Sequence, residues 1–266
     1  MQFGVCGNPA IAGAAAPAGF SYFEWSVGEL LKPREPEAAF EVALAEVRSA
    51  GLPCPVVNCF VPGDLKITGP SVDCDALQKY VTTTFERAAV AGVEIIVFGS
   101  GGARQIPEGF DRGQAHGQLV RFCSMFAPIA EKNGVTVVLE PLNRTECNVL
   151  NGVGECAALV REVGHPALRL LVDAYHLLRD GDPCEDIVAN GDLLRHAHIA
   201  TIPNRLAPAA EACDFVPFFE ALVRAGYKDR LSIEGNIPSP GTELAPAFSL
   251  MTNLVDAALE KVRAVR

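Results

Sequence analysis

No segment of the 266-residue chain is rich in Lys or Arg; the 22 basic residues are scattered among 32 Asp and Glu, for a formal net charge of −10. Affinity for nucleic acid comes largely from clustered positive charge, so a phosphate-backbone partner is not expected. No apolar run approaches the ~20 residues that a membrane-spanning helix needs. The Ala-rich stretch from Ile11 to Gly19 lacks a basic leader and is broken by Gly13 and Pro17, so it does not read as a signal sequence. No C-x-x-C pair occurs among the nine cysteines, which stand at Cys6, Cys54, Cys59, Cys74, Cys123, Cys147, Cys156, Cys184 and Cys213. Most lie in apolar segments, where a free cysteine behaves as a small hydrophobe, and this argues for reduced thiols rather than a zinc or redox role. Low-complexity linkers are missing too. Together these absences predict a soluble, cytoplasmic protein with no nucleic-acid or membrane partner; a homo-oligomer is compatible with them.

What is present is ample apolar material, 49% of residues, punctuated by 24 Gly and 19 Pro. Short β-branched or aromatic runs recur, each followed by turn residues and then by helical apolar spacing. Eight such runs are legible: Gln2 to Cys6, Ser21 to Trp25, Pro55 to Phe60, Val93 to Phe98, Val135 to Glu140, Leu168 to Asp173, Arg195 to Ala200 and Leu231 to Glu234. Amphipathic segments between them carry Phe40, Leu44 and Val47; Leu119, Phe122, Phe126 and Ile129; and Phe215, Phe219 and Leu222. Asn8 followed by Pro9 predicts an N-cap and a short first crossover helix, and the last helix is expected from about Leu244 to Val262. Eight repeats of about 33 residues suit right-handed βαβ crossovers, and the economical closure is one (β/α)8 barrel over residues 1–266. The rival is a doubly wound open sheet, which would leave two exposed edges.

Functional groups in such a barrel gather at the C-terminal ends of the strands. Strand five closes as VTVVLEPLNR with Glu140, strand six as LRLLVDAYH with Asp173, strand seven as RHAHIA with His198 and strand eight as LSIEG with Glu234. A single acid in this position could simply cap the following helix. Three carboxylates converging on one barrel mouth would repel strongly unless a cation holds them. Three carboxylates and an imidazole suit Mn2+, Co2+ or Mg2+ better than a structural zinc. Pro141 supports the arrangement by keeping Glu140 extended. His196 shares the face of His198 two residues away and reads as a hydrogen-bonded core histidine one layer deeper; His116 and His165 read as surface residues.

LEPLNRTECNVLN, LLVDAYH, HAHIA with a following Arg, and SIEG resemble the sugar phosphate isomerase/epimerase group of xylose isomerase-like TIM barrels, which includes the ketose 3-epimerases. FEWSVGELL and FGSGGAR extend the similarity over nearly the whole chain. The resemblance implies that Glu140, Asp173, His198 and Glu234 hold one divalent metal, with Mn2+ first and Co2+, Mg2+ or Zn2+ as the other candidates. It also implies that Glu140 and Glu234 are the acid–base pair and that Glu146, His176 and Arg205 contact oxygens of a small sugar substrate. Arg205 stands one residue further beyond His198 than in the epimerase pattern. Trp25, the only Trp, is a candidate wall of the sugar pocket, with ordinary packing as its alternative. The cluster Gly99, Gly101, Gly102 and Arg104 could approach a phosphate or form a plain strand-to-helix turn.

The chemistry suits these residues. A C–H bond beside a ketone becomes acidic when the developing negative charge is stabilised, and two carboxylates can then exchange protons at that carbon. The expected function is thus a metal-dependent isomerase or epimerase of carbohydrate metabolism that takes a ketose or related hydroxy-ketone, C3 epimerisation foremost. A dehydratase of a keto-polyol is the second reading, since the same intermediate can expel a β-hydroxyl. An abasic-site endonuclease would need additional histidines on strands three and four, where this chain has Asn58 and Gly99. A non-catalytic sugar-binding module is the fourth.

Overall fold

A computed structural model describes residues 1–264. Eight parallel strands close into a barrel in sequence order: β1 (Gln2–Cys6), β2 (Tyr22–Ser26), β3 (Val56–Asn58), β4 (Ile95–Phe98), β5 (Thr136–Leu139), β6 (Leu168–Asp173), β7 (Leu194–Ile199) and β8 (Arg230–Ile233), with β8 pairing back onto β1. No strand is left with a free edge, and the doubly wound alternative is excluded. The principal helices are α1 (Ala12–Ala18), α2 (Glu37–Ser49), α3 (Cys74–Ala91), α4 (Arg112–Lys132), α5 (Val153–Val163), α6 (Ala174–Asp180), α7 (Val216–Arg224) and α8 (Pro240–Ala264). None of the described helices is long and apolar enough to cross a membrane.

Local chemistry sets the element ends. Asp73 and Asp111 accept from the backbone N–H groups of Ala76 and Gln114 at 3.0 and 2.8 Å, capping α3 and α4. Asn8 accepts from Ala10 N at 3.0 Å and caps a 3-10 turn, Pro9–Ile11, that leads into α1, so the first crossover helix is short as expected. Pro17 does not interrupt α1, which runs through it to Ala18. Strand three is shorter than the apolar run predicts, and α8 begins at Pro240 rather than Leu244. Ile129 is only partly buried, whereas Leu119, Phe122 and Phe126 face the core.

Two apolar regions result from the period-two alternation of the strands. The larger lies between barrel and helices; Phe60, Phe85, Phe98, Phe122 and Phe126 interlock there with ring centroids 5.1–6.2 Å apart. Each such ring contributes about 1.5–3 kcal/mol by burial. The smaller fills the barrel itself with Tyr22, Val56, Ile95, Val97, Val138 and Leu171. Gly4 is required beside it, since a Cβ there would lie 2.2 Å from the Tyr22 ring.

The ladder between β6 and β7 shifts register by one residue. Leu170 pairs with Leu194, but Leu171 pairs with His196, so Arg195 is passed over. From there Val172 meets Ala197 and Asp173 meets His198, which sets the last two inward and side by side.

Candidate metal centre

Inward alternation carries the small interior cluster upward into polar residues: Val138 to Glu140 on β5, Leu171 to Asp173 on β6, His196 to His198 on β7, and Ser232 to Glu234 on β8. Glu140 and Glu234 stand one residue past the ends of their strands and are held there by backbone N–H bonds to Phe98 O (3.2 Å) and Ile199 O (3.1 Å). One donor atom from each of Glu140, Asp173, His198 and Glu234 lies within 4.8 Å of the others. His198 Nδ1 is 3.3 Å from Glu140 Oε1 and 3.4 Å from Glu234 Oε2. Asp173 Oδ1 accepts from Tyr175 N at 2.8 Å and caps α6, while its buried Oδ2 has no hydrogen-bond partner among the described residues.

That set fits a divalent cation. Burial, Glu234 and Glu140 push the Asp173 carboxyl up to about 8. Burial and Glu234 likewise raise Glu140. Burial alone would lower His198, but Glu24 and Glu234 overcome it and push the ring well above its ordinary value. Glu234 stays below its ordinary value despite burial, because His198 and Arg205 stabilise its charge. A buried cluster in which three carboxyl groups face one another, with an orphaned carboxylate oxygen among them, is an electrostatic setting for a metal ion.

The expected substrate contacts converge on the same mouth. His176 is buried, and its Nδ1 receives Asn143 N at 3.2 Å and Asn143 Nδ2 at 2.8 Å. Its Nε2 lacks a hydrogen-bond partner among the described residues and sits 3.6 Å from Asp173 Oδ2. Burial and Arg205 hold the ring neutral, down to about 3. Asn143 also donates to Glu146 Oε1 at 2.8 Å, a positioning role that sequence reasoning missed although LEPLN contains it. Arg205 bonds Glu234 Oε2 at 2.6 Å, approaches Glu146 Oε1 at 3.6 Å, and lies 4.6 Å from the Tyr175 ring centroid. The one-residue displacement of Arg205 therefore does not remove it from the site. All three line a cavity of about 750 Å³ above the cluster.

Trp25 is the correction. It follows Glu24 on β2 and so faces away from the barrel interior, packing half-buried against the outer core and lining no part of the cavity. Alternation in β2 decides this: Tyr22 and Glu24 take the inward face.

Arg104 does not reach toward a phosphate. It is fully buried and donates to Phe98 O (3.2 Å), Glu140 O (2.8 Å) and Leu150 O (3.2 Å), tying the end of β4 to the segment that carries Glu140. Gly99, Gly101 and Gly102 line the cavity, whereas Arg104 does not. His196 is the core histidine expected, with Nε2 3.0 Å from Glu24 Oε2. His116 pairs with Glu162 on the surface. Asn58 donates toward Glu234 Oε1 at 3.5 Å.

Comparison with known proteins bears on family and fold. A ketose 3-epimerase of Arthrobacter globiformis is 36% identical over 122 residues, 46% of this chain and 41% of that protein. The 3-dehydro-D-guloside 4-epimerase of Escherichia coli K12 is 30% identical over 110 residues, 41% of this chain and 42% of that protein. The chain thus spans about two-fifths of the length of these curated relatives. A crystal structure of D-allulose 3-epimerase from Methylomonas sp. superposes with a TM-score of 0.81 at 18% identity, over 96% of this chain and 98% of that one, and shares the fold. The model of the xylose isomerase-like TIM barrel family matches residues 12–253, and the chain belongs to that family.

Proposed function

We propose that the chain is a divalent-metal-dependent sugar epimerase or isomerase acting on a ketose or related hydroxy-ketone, with C3 epimerisation as its reaction. The observation that carries this reading is the meeting of two glutamates, from strands separated by β6 and β7 around the barrel, with an aspartate and a histidine inside one 4.8 Å group. Glu140, Asp173, His198 and Glu234 would hold the cation, Mn2+ before Co2+, Mg2+ or Zn2+. The cation would supply Lewis-acid stabilisation of negative charge on a substrate oxygen.

The protein's own part is proton movement and orientation. One of the two glutamates removes the proton from the carbon beside the carbonyl, and the other returns one from the opposite side, which inverts that carbon. His176, neutral and with Nε2 free of a protein partner, can donate to a substrate oxygen. Glu146 and Arg205, both on the cavity wall, hold further hydroxyls. The epimerases among the relatives support this assignment of chemistry.

The test is proton NMR of the Mn2+-supplemented protein with a panel of free and phosphorylated ketoses in heavy water, after removal of the metal. Deuterium at C3 with the carbonyl in place supports the epimerase. Carbonyl migration without label at C3 replaces it with a 1,2-isomerase, and a product lighter by one water replaces it with a dehydratase.

A further inference from the structure

Glu24 lies at the third position of β2, fully buried inside the barrel beneath the four-residue cluster. A carboxylate there is costly unless donors surround it, and donors from two other strands do. Glu24 Oε1 and Oε2 are 3.1 and 3.2 Å from His198 Nε2, Oε2 is 3.0 Å from His196 Nε2, and Ser232 Oγ donates to Oε2 at 2.8 Å. Tyr22 Oη extends the chain to Ser232 Oγ at 2.9 Å.

His198 has one ring nitrogen on each side of a boundary. Nε2 faces Glu24, and Nδ1 faces Glu140 and Glu234. A nitrogen that carries hydrogen cannot be a ligand, and the partner of one nitrogen decides which one carries it. An ionised carboxylate only accepts. We propose that Glu24 is a positioning residue that keeps the hydrogen of His198 on Nε2 and fixes the ring plane, so that Nδ1 is presented bare to the metal centre.

The rest of the network agrees. His196 donates through Nε2 to the same carboxylate, which leaves its buried Nδ1 as an acceptor without a partner. An unpaired acceptor is the smaller loss; a donor turned the same way would leave Glu24 short of a bond. Cys6, Glu24 and His198 form a second group of potential ligands. An ion held between Glu24 and His198 Nε2 would replace the bond those two groups make, so the group serves the centre above rather than a second ion.

This inference rests on the metal-centre reading, and the experiment separates the two. Mn2+ binding is measured by calorimetry on wild type, Glu24→Gln and Ser232→Ala, alongside thermal melts of the metal-free proteins. An amide at position 24 must turn a donor toward one imidazole and forces hydrogen onto Nδ1. Glu24→Gln should bind Mn2+ about 10- to 100-fold more weakly while still folding, and Ser232→Ala, which leaves the carboxylate in place, should lose much less. Equal affinity in wild type and Glu24→Gln overturns the inference alone, as does an equal loss in both variants. Absence of Mn2+ binding by wild type overturns the metal centre and this inference with it. If Glu24→Gln does not fold, long-range 1H–15N correlation on the Zn2+-loaded wild type decides. With only five histidines in the chain, His198 can be assigned against a His198→Gln sample. Hydrogen on Nε2 upholds the role of Glu24, and hydrogen on Nδ1 overturns it.

Discussion

Gly99 and Glu140 face one another from neighbouring strands at a separation that admits no side chain: a Cβ on Gly99 would lie 2.3 Å from Glu140 Oε2. The glycine at the end of β4 is thus a steric condition on the position of the carboxylate. It also explains why no histidine could stand there as a further ligand, which weighs against the nuclease reading. Gly99→Ala should displace the Glu140 carboxylate by changing its χ angles, at a cost to stability of about 0.5–1.5 kcal/mol. We expect Mn2+ affinity to fall at least tenfold in calorimetry with the far-UV circular dichroism unchanged. Affinity equal to wild type would mean that Glu140 is not held where its neighbours place it.

Metal removal should be visible in stability before any substrate is known. Binding confined to the folded state at 100 times the dissociation constant adds about 2.7 kcal/mol, and for a chain of this size that corresponds to roughly 5–10 °C in melting temperature. Melting with Mn2+ should exceed melting with EDTA by that margin, and elemental analysis should find close to one ion per chain. Three zinc ions per chain would revive the nuclease reading.

Protons should compete with the ion. In the folded, metal-free chain Asp173 keeps its proton up to about pH 8, and His198 keeps its proton well above the ordinary imidazole range; unfolded, the two release theirs near pH 4 and 6.5. Between about pH 6.5 and 8 the folded state therefore binds more protons than the unfolded one, and stability falls as pH rises. His176, held near 3, and His196, also lowered, are neutral when folded; unfolded, each is about half-protonated at pH 6.5 and nearly neutral at pH 8, so the two weaken the trend at the acid end of the window without reversing it. Urea denaturation in EDTA should show a falling free energy across the window. Mn2+ affinity should rise across it, because binding must expel those protons. Metal-free stability that climbs from pH 6.5 to 8 would contradict the protonation states argued for Asp173 and His198.

Glu234→Gln separates ligation from proton transfer. The amide oxygen can still coordinate and still accept from Arg205, but it cannot take a proton. Turnover on an identified ketose should drop about 10²- to 10⁴-fold with Mn2+ affinity largely kept, whereas Asp173→Ala should weaken Mn2+ binding itself. Near wild-type turnover in the Glu234 variant would end the two-glutamate mechanism.

The fold and the four candidate ligands were legible because two periodicities and one positional rule agree on them: apolar alternation along each strand, helical spacing between strands, and chemistry at strand ends. Glu24 was legible only as an acid at the end of an apolar run. Its partners His196, His198 and Ser232 are more than 170 positions away in sequence, and only closure of the barrel brings β2 against them. Trp25 was misplaced for the opposite reason. Its strand was recognised, but its face depends on the parity of the inward residues, and β2 enters the barrel one residue out of phase with a pocket-facing Trp25. Arg104 could not be read either, since a buried guanidinium that holds three carbonyls has the same local sequence as an exposed one beside a glycine turn.

The slip of the β6–β7 ladder past Arg195 has a consequence for how this chain can vary. Side chains on a strand alternate, so a one-residue change in pairing exchanges the two faces. Arg195, an exposed residue, is what the slip absorbs: without it Leu194 and His196 would be consecutive opposite Leu170 and Leu171, the pairs they already form, so its deletion would straighten the ladder and leave both imidazoles inward, whereas deleting Ala197 would make His196 and His198 neighbours and turn one of them out toward the helices. Replacing Arg195 with another residue would leave the two histidines where they are. Close relatives and engineered libraries alike should therefore tolerate both exchange and loss at this position and reject a lost residue between the two histidines, making the spacing after His196 a stricter inheritance than the spacing before it.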